Sequence, residues 1–183
     1  MAERWITWRG RHILVDDDGN IVNKNNEPEG FEDSKVRNKD GSLMKVYHGT
    51  PKDFEEFDEK YIRERPDGVK GFYFATERSK EAMAGYYAGD TGAIKEAYIN
   101  MKKPLYLRTD EYSEKIGDIV KSGKIKEYDG IITTMDRDWG RDYYNYKTGK
   151  LEHEDIKKGD IIEIIPFNKN QIKIINSENR NKR

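Results

Sequence analysis

Glu163 is the one charged residue in the run from Ile161 to Phe167, where the other residues are isoleucine, proline and phenylalanine. A run this apolar predicts a β-strand that is buried on both faces. A buried carboxylate without a partner costs several kcal/mol, so it is usually paired, neutralised or needed by a ligand. A carboxylate held in place can stabilise a cation that develops in a transition state. Glu163 is therefore the candidate catalytic residue.

Two further segments contain residues that could bind a ligand, Lys45–Thr50 and Gly71–Thr76. The imidazole of His48 can donate a hydrogen bond to a ligand hydroxyl, and Gly49 leaves room for a ligand amide to reach the backbone. The ring of Tyr73 offers a face for a flat, charged heterocycle. Together these groups could hold a ligand beside a catalytic carboxylate.

A second aromatic ring is expected from the helix that follows. Residues 76–89 predict a helix because Thr and Ser at its start are good N-caps and Gly89 suits the position after its end. Tyr86 and Tyr87 lie on this helix. One of the two is expected to face the ligand opposite Tyr73, and the sequence leaves the choice open.

The order of these motifs resembles the His-Tyr-Glu class of ADP-ribosyltransferases. This class includes diphtheria toxin, the poly(ADP-ribose) polymerases and small phage-encoded domains, and the chain is similar in particular to the phage polyvalent-protein type. The resemblance implies an α+β fold with split mixed β-sheets around an NAD cleft. The matching segments are Tyr47–Thr50, Gly71–Ala75, Ala84–Ala88 and Glu163–Lys173.

The resemblance also implies roles for the matching residues. His48 would hold the ribose next to nicotinamide, Gly49 would bind the carboxamide, and two tyrosines would enclose the ring. Glu163 would contact the ribose and promote cleavage of its bond to nicotinamide, which leaves positive charge on the ribose. NAD is then a substrate, and no metal is expected. The residues expected to bind NAD are His48, Gly49, Thr50, Tyr73, Tyr86 and Tyr87.

The function implied by the resemblance is mono-ADP-ribosylation of an acceptor, with release of nicotinamide. A phage or mobile element would encode such a protein, and a host protein would be its target. Transferases that modify arginine carry Glu or Gln two residues before the catalytic Glu, whereas this chain has Ile161, which disfavours arginine. A nucleic-acid acceptor is less favoured because the pI is about 6.4. An NAD glycohydrolase and a non-catalytic module that binds NAD or ADP-ribose stay open as alternatives.

Each candidate residue also has a purely structural interpretation. His48 could be a hydrogen-bonded core histidine, Tyr73 an ordinary strand aromatic, and Glu163 half of an ion pair. A rival pair, Glu152 and Glu154, has the Glu-x-Glu spacing of arginine-specific transferases. It lies in a polar run without apolar alternation, which predicts a solvated loop.

Composition sets limits on the class of protein. The chain has 183 residues, 38% of them charged and 34% hydrophobic, which suits one domain with a highly solvated surface. There is no cysteine, and His12, His48 and His153 lack the spacing of a helical zinc site. A calcium-loop pattern beginning at Asp16 has Ile21 where that loop needs glycine. Without a long apolar run or signal core, a soluble protein of the bacterial host cytoplasm is expected.

The chain is expected to divide into three parts. Residues 1–42 predict an N-terminal β-hairpin appendage and a polar linker or arm, 43–176 the transferase-like domain, and 177–183 a disordered basic tail. Within the domain, strands are predicted near 43–48, 71–75, 93–100, 104–107 and 129–134, with helices over 79–88 and 110–121.

Two loops of the domain are assigned functions by the resemblance. The loop 58–70 has the position at which family members cover the adenosine half of NAD. The connection 135–158 breaks the pattern of strands and helices with Trp139 and several tyrosines, and so long an irregular loop is usually functional or mobile. It is expected to contact a protein acceptor, and a disordered insertion is the alternative.

Overall fold

The computed structural model describes residues 4–8, 11–19, 27–62 and 64–180. The N-terminal hairpin predicted from the sequence is present, with β1 (Arg4–Trp8) antiparallel to β2 (Arg11–Val15). The second half of the calcium-like segment, from residue 20 to 26, lies outside the described residues, as does the end of the expected tail, 181–183.

One large sheet organises the rest of the described chain. The remaining strands are β3 (Val46–Thr50), β4 (Phe74–Ala75), β5 (Ala93–Ile99), β6 (Pro104–Arg108), β7 (Gly130–Thr134), β8 (Trp139–Asn145), β9 (Lys150–Ile156), β10 (Ile161–Pro166) and β11 (Ile172–Asn179). Seven of them lie in the order β11-β5-β3-β4-β10-β7-β6, antiparallel throughout except for the parallel pair β6 and β7. The other two, β8 and β9, form a separate hairpin.

The two-residue strand β4 makes the large sheet nearly divide in two. β3 pairs with β4 through Tyr47 and Ala75, and β4 pairs with β10 through two residue pairs. Beyond Tyr47 and Ala75 the two strands separate. The resulting halves, β11-β5-β3 and β10-β7-β6, form the split arrangement expected for this α+β fold.

Two helical segments cover one face of the sheet on either side of this seam. The first runs through a 3₁₀ turn (Glu77–Ser79), a π-helical turn (Lys80–Ala84) and α1 (Gly85–Ala88), and packs Ala84 and Ala88 on Tyr47 and Ile94. The second, α2 (Thr109–Lys121), packs Ile116 on β6, β7 and β10. Both helices were predicted within one or two residues, and Glu163 lies on the face that they cover.

The opposite face carries the largest apolar cluster, built from β3, β4, β5, β7 and β10. The polar segment before residue 43 contributes to it, because Val36 is fully buried and the Ser34 hydroxyl donates to the Ile99 carbonyl at 2.6 Å. Arg37 forms an ion pair with Glu27 at 2.9 Å. Residues 27–42 are therefore an arm packed over the domain, one of the two forms expected from the sequence, and the division into domains stays a prediction.

Two expectations from the sequence are wrong. The connection 135–158, expected as an irregular loop or a disordered insertion, contains the ordered hairpin β8–β9. Residues 177–180, expected in a disordered tail, belong to the fold: β11 continues to Asn179, and Arg180 is buried in an ion pair with Glu81 at 2.7 Å. These polar strands pair with their neighbours through backbone hydrogen bonds. Their sequences lack the apolar alternation by which a strand is predicted.

Among the described residues, no helix is long and apolar enough to cross a membrane. The same residues contain no group of three or more His, Cys, Asp or Glu side chains that could hold a metal ion.

Candidate active site

Glu163 occupies the middle of β10, where it pairs with Ala75 on one side and Thr133 on the other. Its side chain is 16% exposed. Burial raises the pKa of Glu163, Arg65 opposes this rise, and the negative charge of Asp67 adds to it. The raised pKa means that the carboxylate is poorly compensated in the free protein, as expected of a group that awaits a cationic partner.

Tyr73 lies beside Glu163 and carries a cation over its ring. The guanidinium carbon of Arg65 is 4.9 Å from the centroid of the Tyr73 ring, and Nη1 of Arg65 is 3.8 Å from Oε1 of Glu163. At 3.8 Å the two groups form a long ion pair, and the separation exceeds that of a charge-assisted hydrogen bond. Burial raises the pKa of Tyr73 to about 12, so its ring stays a neutral stacking surface at physiological pH.

The structure adds two residues that sequence reasoning missed. Tyr112, assigned from the sequence to the apolar stripe of α2, also faces the Arg65 guanidinium, at 5.5 Å from its ring centroid. Thr133 stands directly across from Glu163 on β7. The hydroxyls of Tyr112 and Thr133 are both buried without a hydrogen-bond partner among the described residues. Helical spacing predicts that Tyr112 is buried, but not that it faces Tyr73.

His48 closes the gap between β3 and β4. Its Nδ1 lies 2.7 Å from the backbone carbonyl of Tyr73, and its ring is held edge-on by Phe57 at 5.0 Å. Its ring lies in this gap, in contact with Phe57 and Phe74 of the large apolar cluster. Tyr73 links His48 to Glu163, because its carbonyl accepts from His48 and its ring lies beside the Arg65 that neighbours Glu163.

The tautomer of His48 follows from this contact. A carbonyl only accepts hydrogen bonds, so Nδ1 carries the proton. Burial lowers the pKa of His48, the hydrogen bond to Tyr73 opposes that, and Lys95 lowers the pKa further. The imidazole is therefore neutral, with a lone pair at Nε2. It offers a ligand hydroxyl an acceptor, whereas the sequence interpretation expected a donor.

Gly49 and Thr50 have structural roles in the free protein. A Cβ on Gly49 would lie 1.8 Å from the carbonyl oxygen of Ala84, so glycine is required where the helix crosses β3. The helix backbone fills the space that a side chain at this position would need, and the expected contact of Gly49 with the carboxamide stays a prediction. The hydroxyl of Thr50 donates to the carbonyl of Lys52 at 2.7 Å and closes the turn after β3.

Tyr86 and Tyr87 are not brought to Tyr73. Each is 64% exposed, and their rings are 5.4 Å apart in an edge-to-face pair. Tyr86 also contacts Tyr146, which follows β8, at 6.5 Å. The helix buries Ala84 and Ala88, so this pair of tyrosines points to solvent near the hairpin, and their expected contact with NAD stays a prediction.

The rival carboxylates lie in the hairpin rather than in the solvated loop that was expected. Glu154 pairs with Arg141 across β8 and β9, and Glu152 accepts hydrogen bonds from Tyr143 at 3.0 Å and Asn145 at 2.9 Å. Both acids are satisfied within the hairpin. Glu163 lacks such partners and is the stronger candidate for chemistry.

Comparison with known proteins identifies the family of the chain. The chain matches the family model described as ADP-ribosyltransferase in polyvalent proteins over residues 38–182. No protein of curated function gives a significant match. Since the family match covers most of the sequence, this chain belongs to the ADP-ribosyltransferases of polyvalent proteins, transferases that use NAD as the donor of ADP-ribose.

Proposed function

We propose that this chain is a mono-ADP-ribosyltransferase with Glu163 as its catalytic residue and a protein as its acceptor. The observation that supports it most is the poorly compensated carboxylate of Glu163, buried beside an aromatic ring that already carries a cation. A site arranged in this way favours a ligand with a flat positive ring and a reaction that generates positive charge.

In the proposed reaction the bond between nicotinamide and C1′ of ribose breaks first. Its electron pair stays with the nicotinamide nitrogen, which becomes neutral, and positive charge develops on the ribose. Glu163 stabilises this charge, Nε2 of His48 accepts a hydrogen bond from a ribose hydroxyl, and Tyr73 stacks on the departing ring. The acceptor then attacks C1′ and loses its proton as the new bond forms.

The hairpin β8–β9 supports a protein acceptor. Three large side chains of the hairpin are exposed, and such side chains grouped on one element suit contact with another protein. A phage or mobile-element origin, and a host cytoplasmic protein as target, extend the proposal through the resemblance to phage-encoded domains. The exposed side chains are Trp139 at 43%, Tyr144 at 48% and Leu151 at 77%.

The fate of the label from adenine-labelled NAD in bacterial lysate tests the proposed function. The proposal predicts a discrete labelled band that protease removes and nuclease leaves intact. A band removed by nuclease would contradict the protein acceptor. Free ADP-ribose without a band would indicate a glycohydrolase, and binding of NAD without nicotinamide release would indicate a non-catalytic module.

Leu151→Ser is expected to reduce label transfer to the acceptor about tenfold while leaving the slow hydrolysis of NAD unchanged. The reason is that Leu151 is 77% exposed on the hairpin, directly across from the exposed Tyr144. The measurement compares transferred label with free ADP-ribose for each variant. Ile175→Ser, at a 39% exposed residue of β11, is the matched control. Equal transfer of label by both variants would show that the hairpin does not bind the acceptor.

The pH dependence of the KM for NAD should reflect His48. The lowered pKa of His48 lies below its ordinary value of 6.5, so KM should stay constant from neutral pH down to that value and rise only in more acidic solution. Protonation removes the acceptor at Nε2 and places a cation near the positive nicotinamide. His48→Gln should lack this rise, and a rise centred above 6.5 in the wild type would contradict the assignment.

A further inference from the structure

The guanidinium of Arg65 occupies a site formed by residues from three separate parts of the fold. It lies over the ring of Tyr73 at 4.9 Å and over the ring of Tyr112 at 5.5 Å, with Nη1 3.8 Å from Glu163. Tyr73 precedes β4, Tyr112 belongs to α2, and Glu163 is in β10. We call the space bounded by Tyr73, Tyr112 and Glu163 the cation seat.

The chemistry of this seat matches a second flat cation. A guanidinium is planar, delocalised and weakly hydrated, which is why it stacks on aromatic rings and pairs with carboxylates. The nicotinamide ring of NAD is also planar, aromatic and positively charged. Both groups would use the same aromatic faces and the same carboxylate, so the seat holds one of them at a time.

Arg65 leaves some of the polar groups around the cation seat without a hydrogen-bond partner. The hydroxyls of Tyr112 and Thr133 are buried without a partner among the described residues, and leaving such groups unpaired is costly. Thr133 stands across from Glu163. A ligand that brings hydrogen-bonding groups, as a carboxamide and a ribose do, could satisfy hydroxyls that the guanidinium leaves unpaired.

Arg65 can leave the seat without disturbing the core. Its loop is fixed by a tight turn, in which the Gly68 amide donates to the Arg65 carbonyl at 2.8 Å and the Val69 amide donates to Asp67 at 3.0 Å. Val69 is buried against the α2 cluster and anchors the turn. The Arg65 side chain itself is 39% exposed, so rotation about its own bonds can carry the guanidinium into solvent.

We propose that the cation seat binds the nicotinamide ring, with Tyr112 as the second ring opposite Tyr73, and that Arg65 fills this seat in the free protein until NAD displaces it. This inference rests on the proposed function and assigns its donor site to residues that the sequence motifs do not include. Arg65 is thereby an internal competitor of the donor, and its departure also frees the carboxylate of Glu163 for the ribose cation.

Substitution of Tyr112 tests the aromatic part of the seat. Loss of one stacked ring costs about 1–3 kcal/mol, so Tyr112→Leu should raise the KM for NAD about five- to a hundredfold. Tyr112→Phe retains the ring and loses only the hydroxyl, so its KM should rise less than that of Tyr112→Leu. Tyr106→Leu, at a 58% exposed tyrosine of β6 that lies outside the seat, is the matched control with an unchanged KM. A raised KM in Tyr87→Leu with a normal one in Tyr112→Leu would overturn the assignment.

Substitution of Arg65 tests the competition. Arg65→Met keeps an apolar side chain of similar length and removes the charge, so it should lower the KM for NAD about tenfold, since the seat no longer has to be vacated. The rise in Tm caused by NAD should begin at a correspondingly lower NAD concentration. A KM raised about tenfold would overturn the proposal and make Arg65 a donor-binding residue. If Tyr112→Leu fails to fold, the KM of Arg65→Met still tests the proposal.

The proposed function and this inference fail in different ways. If wild-type protein releases no nicotinamide and its Tm does not respond to NAD, the proposed function is wrong. If the wild type is active but Arg65→Met and Tyr112→Leu both behave like Tyr106→Leu, the donor binds elsewhere and only the seat is wrong.

Discussion

Replacing Glu163 by glutamine is expected to lower the rate of nicotinamide release about a hundred- to a thousandfold, the range typical for loss of one preorganised electrostatic contact to a transition state. Glutamine fills nearly the same space in β10 but carries no charge to stabilise the ribose cation. The KM for NAD should change less than kcat, because the developing charge is largest in the transition state. Single-turnover kinetics with each variant measure both effects.

The same substitution is expected to raise the Tm at neutral pH. A carboxyl whose folded pKa is raised holds its proton more tightly in the folded state, so it adds stability below its unfolded pKa and loses it as pH rises through the folded pKa. Above that pKa a buried charge remains, and glutamine removes it. The gain in Tm should disappear in acid, where Glu163 is protonated in both states. A lower Tm for Glu163→Gln at neutral pH would contradict the account.

Glu178 provides a control of opposite sign. Burial acts to raise the pKa of Glu178, but the cations Lys80, Lys147 and Arg180 outweigh it and hold the pKa below the ordinary value. Such a carboxylate adds stability above its unfolded pKa, and that stability is lost as pH falls through the folded pKa. Glu178→Gln should therefore lower the Tm at neutral pH and leave nicotinamide release intact. Calorimetry of both variants across pH separates a functional carboxylate from a structural one.

Gly49→Ala is expected to destabilise the protein by about 3 kcal/mol or more, or to prevent folding, as overpacking against backbone does at the severe end. The added Cβ would lie 1.8 Å from the Ala84 carbonyl oxygen and 2.6 Å from its carbon, and neither atom can rotate away. The helix would have to move off β3. Urea unfolding measures the change in the free energy of unfolding.

Gly117→Ala is the matched control for Gly49→Ala. Gly117 lies inside α2, and a Cβ there meets nothing within 4 Å. Alanine is favoured over glycine in a helix by about 1 kcal/mol, so this variant should be more stable than the wild type. A Gly49→Ala variant as stable as the wild type would show that the helix does not pack on β3 as described.

The parts of the fold predicted from the sequence are those with strong local patterns. The isoleucine run around Glu163 predicted β10, and the apolar spacing of residues 110–121 predicted α2. The order of the motifs was sufficient to indicate the family. The hairpin β8–β9 was missed because its cross-strand pairs are polar, such as Tyr143 with Glu152 and Asp142 with His153. Strands that satisfy polar side chains against each other lack the apolar alternation that reveals a strand.

The cation seat could not be predicted because it depends on distant parts of the chain. Arg65 is one of 34 basic residues, and nothing local distinguishes it from its neighbours. Tyr112 reaches Tyr73 only because α2 folds back over β6 and β7, a contact set by topology rather than by spacing. The order of the motifs predicted that Tyr86 or Tyr87 would face Tyr73, but both lie on the exposed side of the helix.

The most direct test of the central claim is release of nicotinamide from NAD by the purified wild type, with Glu163→Gln under the same conditions. We expect release well above the rate in buffer alone, accelerated by an acceptor lysate and reduced at least about a hundredfold in the variant. Equal rates for the two proteins would show that Glu163 is not the catalytic residue. Absence of release by the wild type, with the lysate present, would contradict the proposed transferase activity itself.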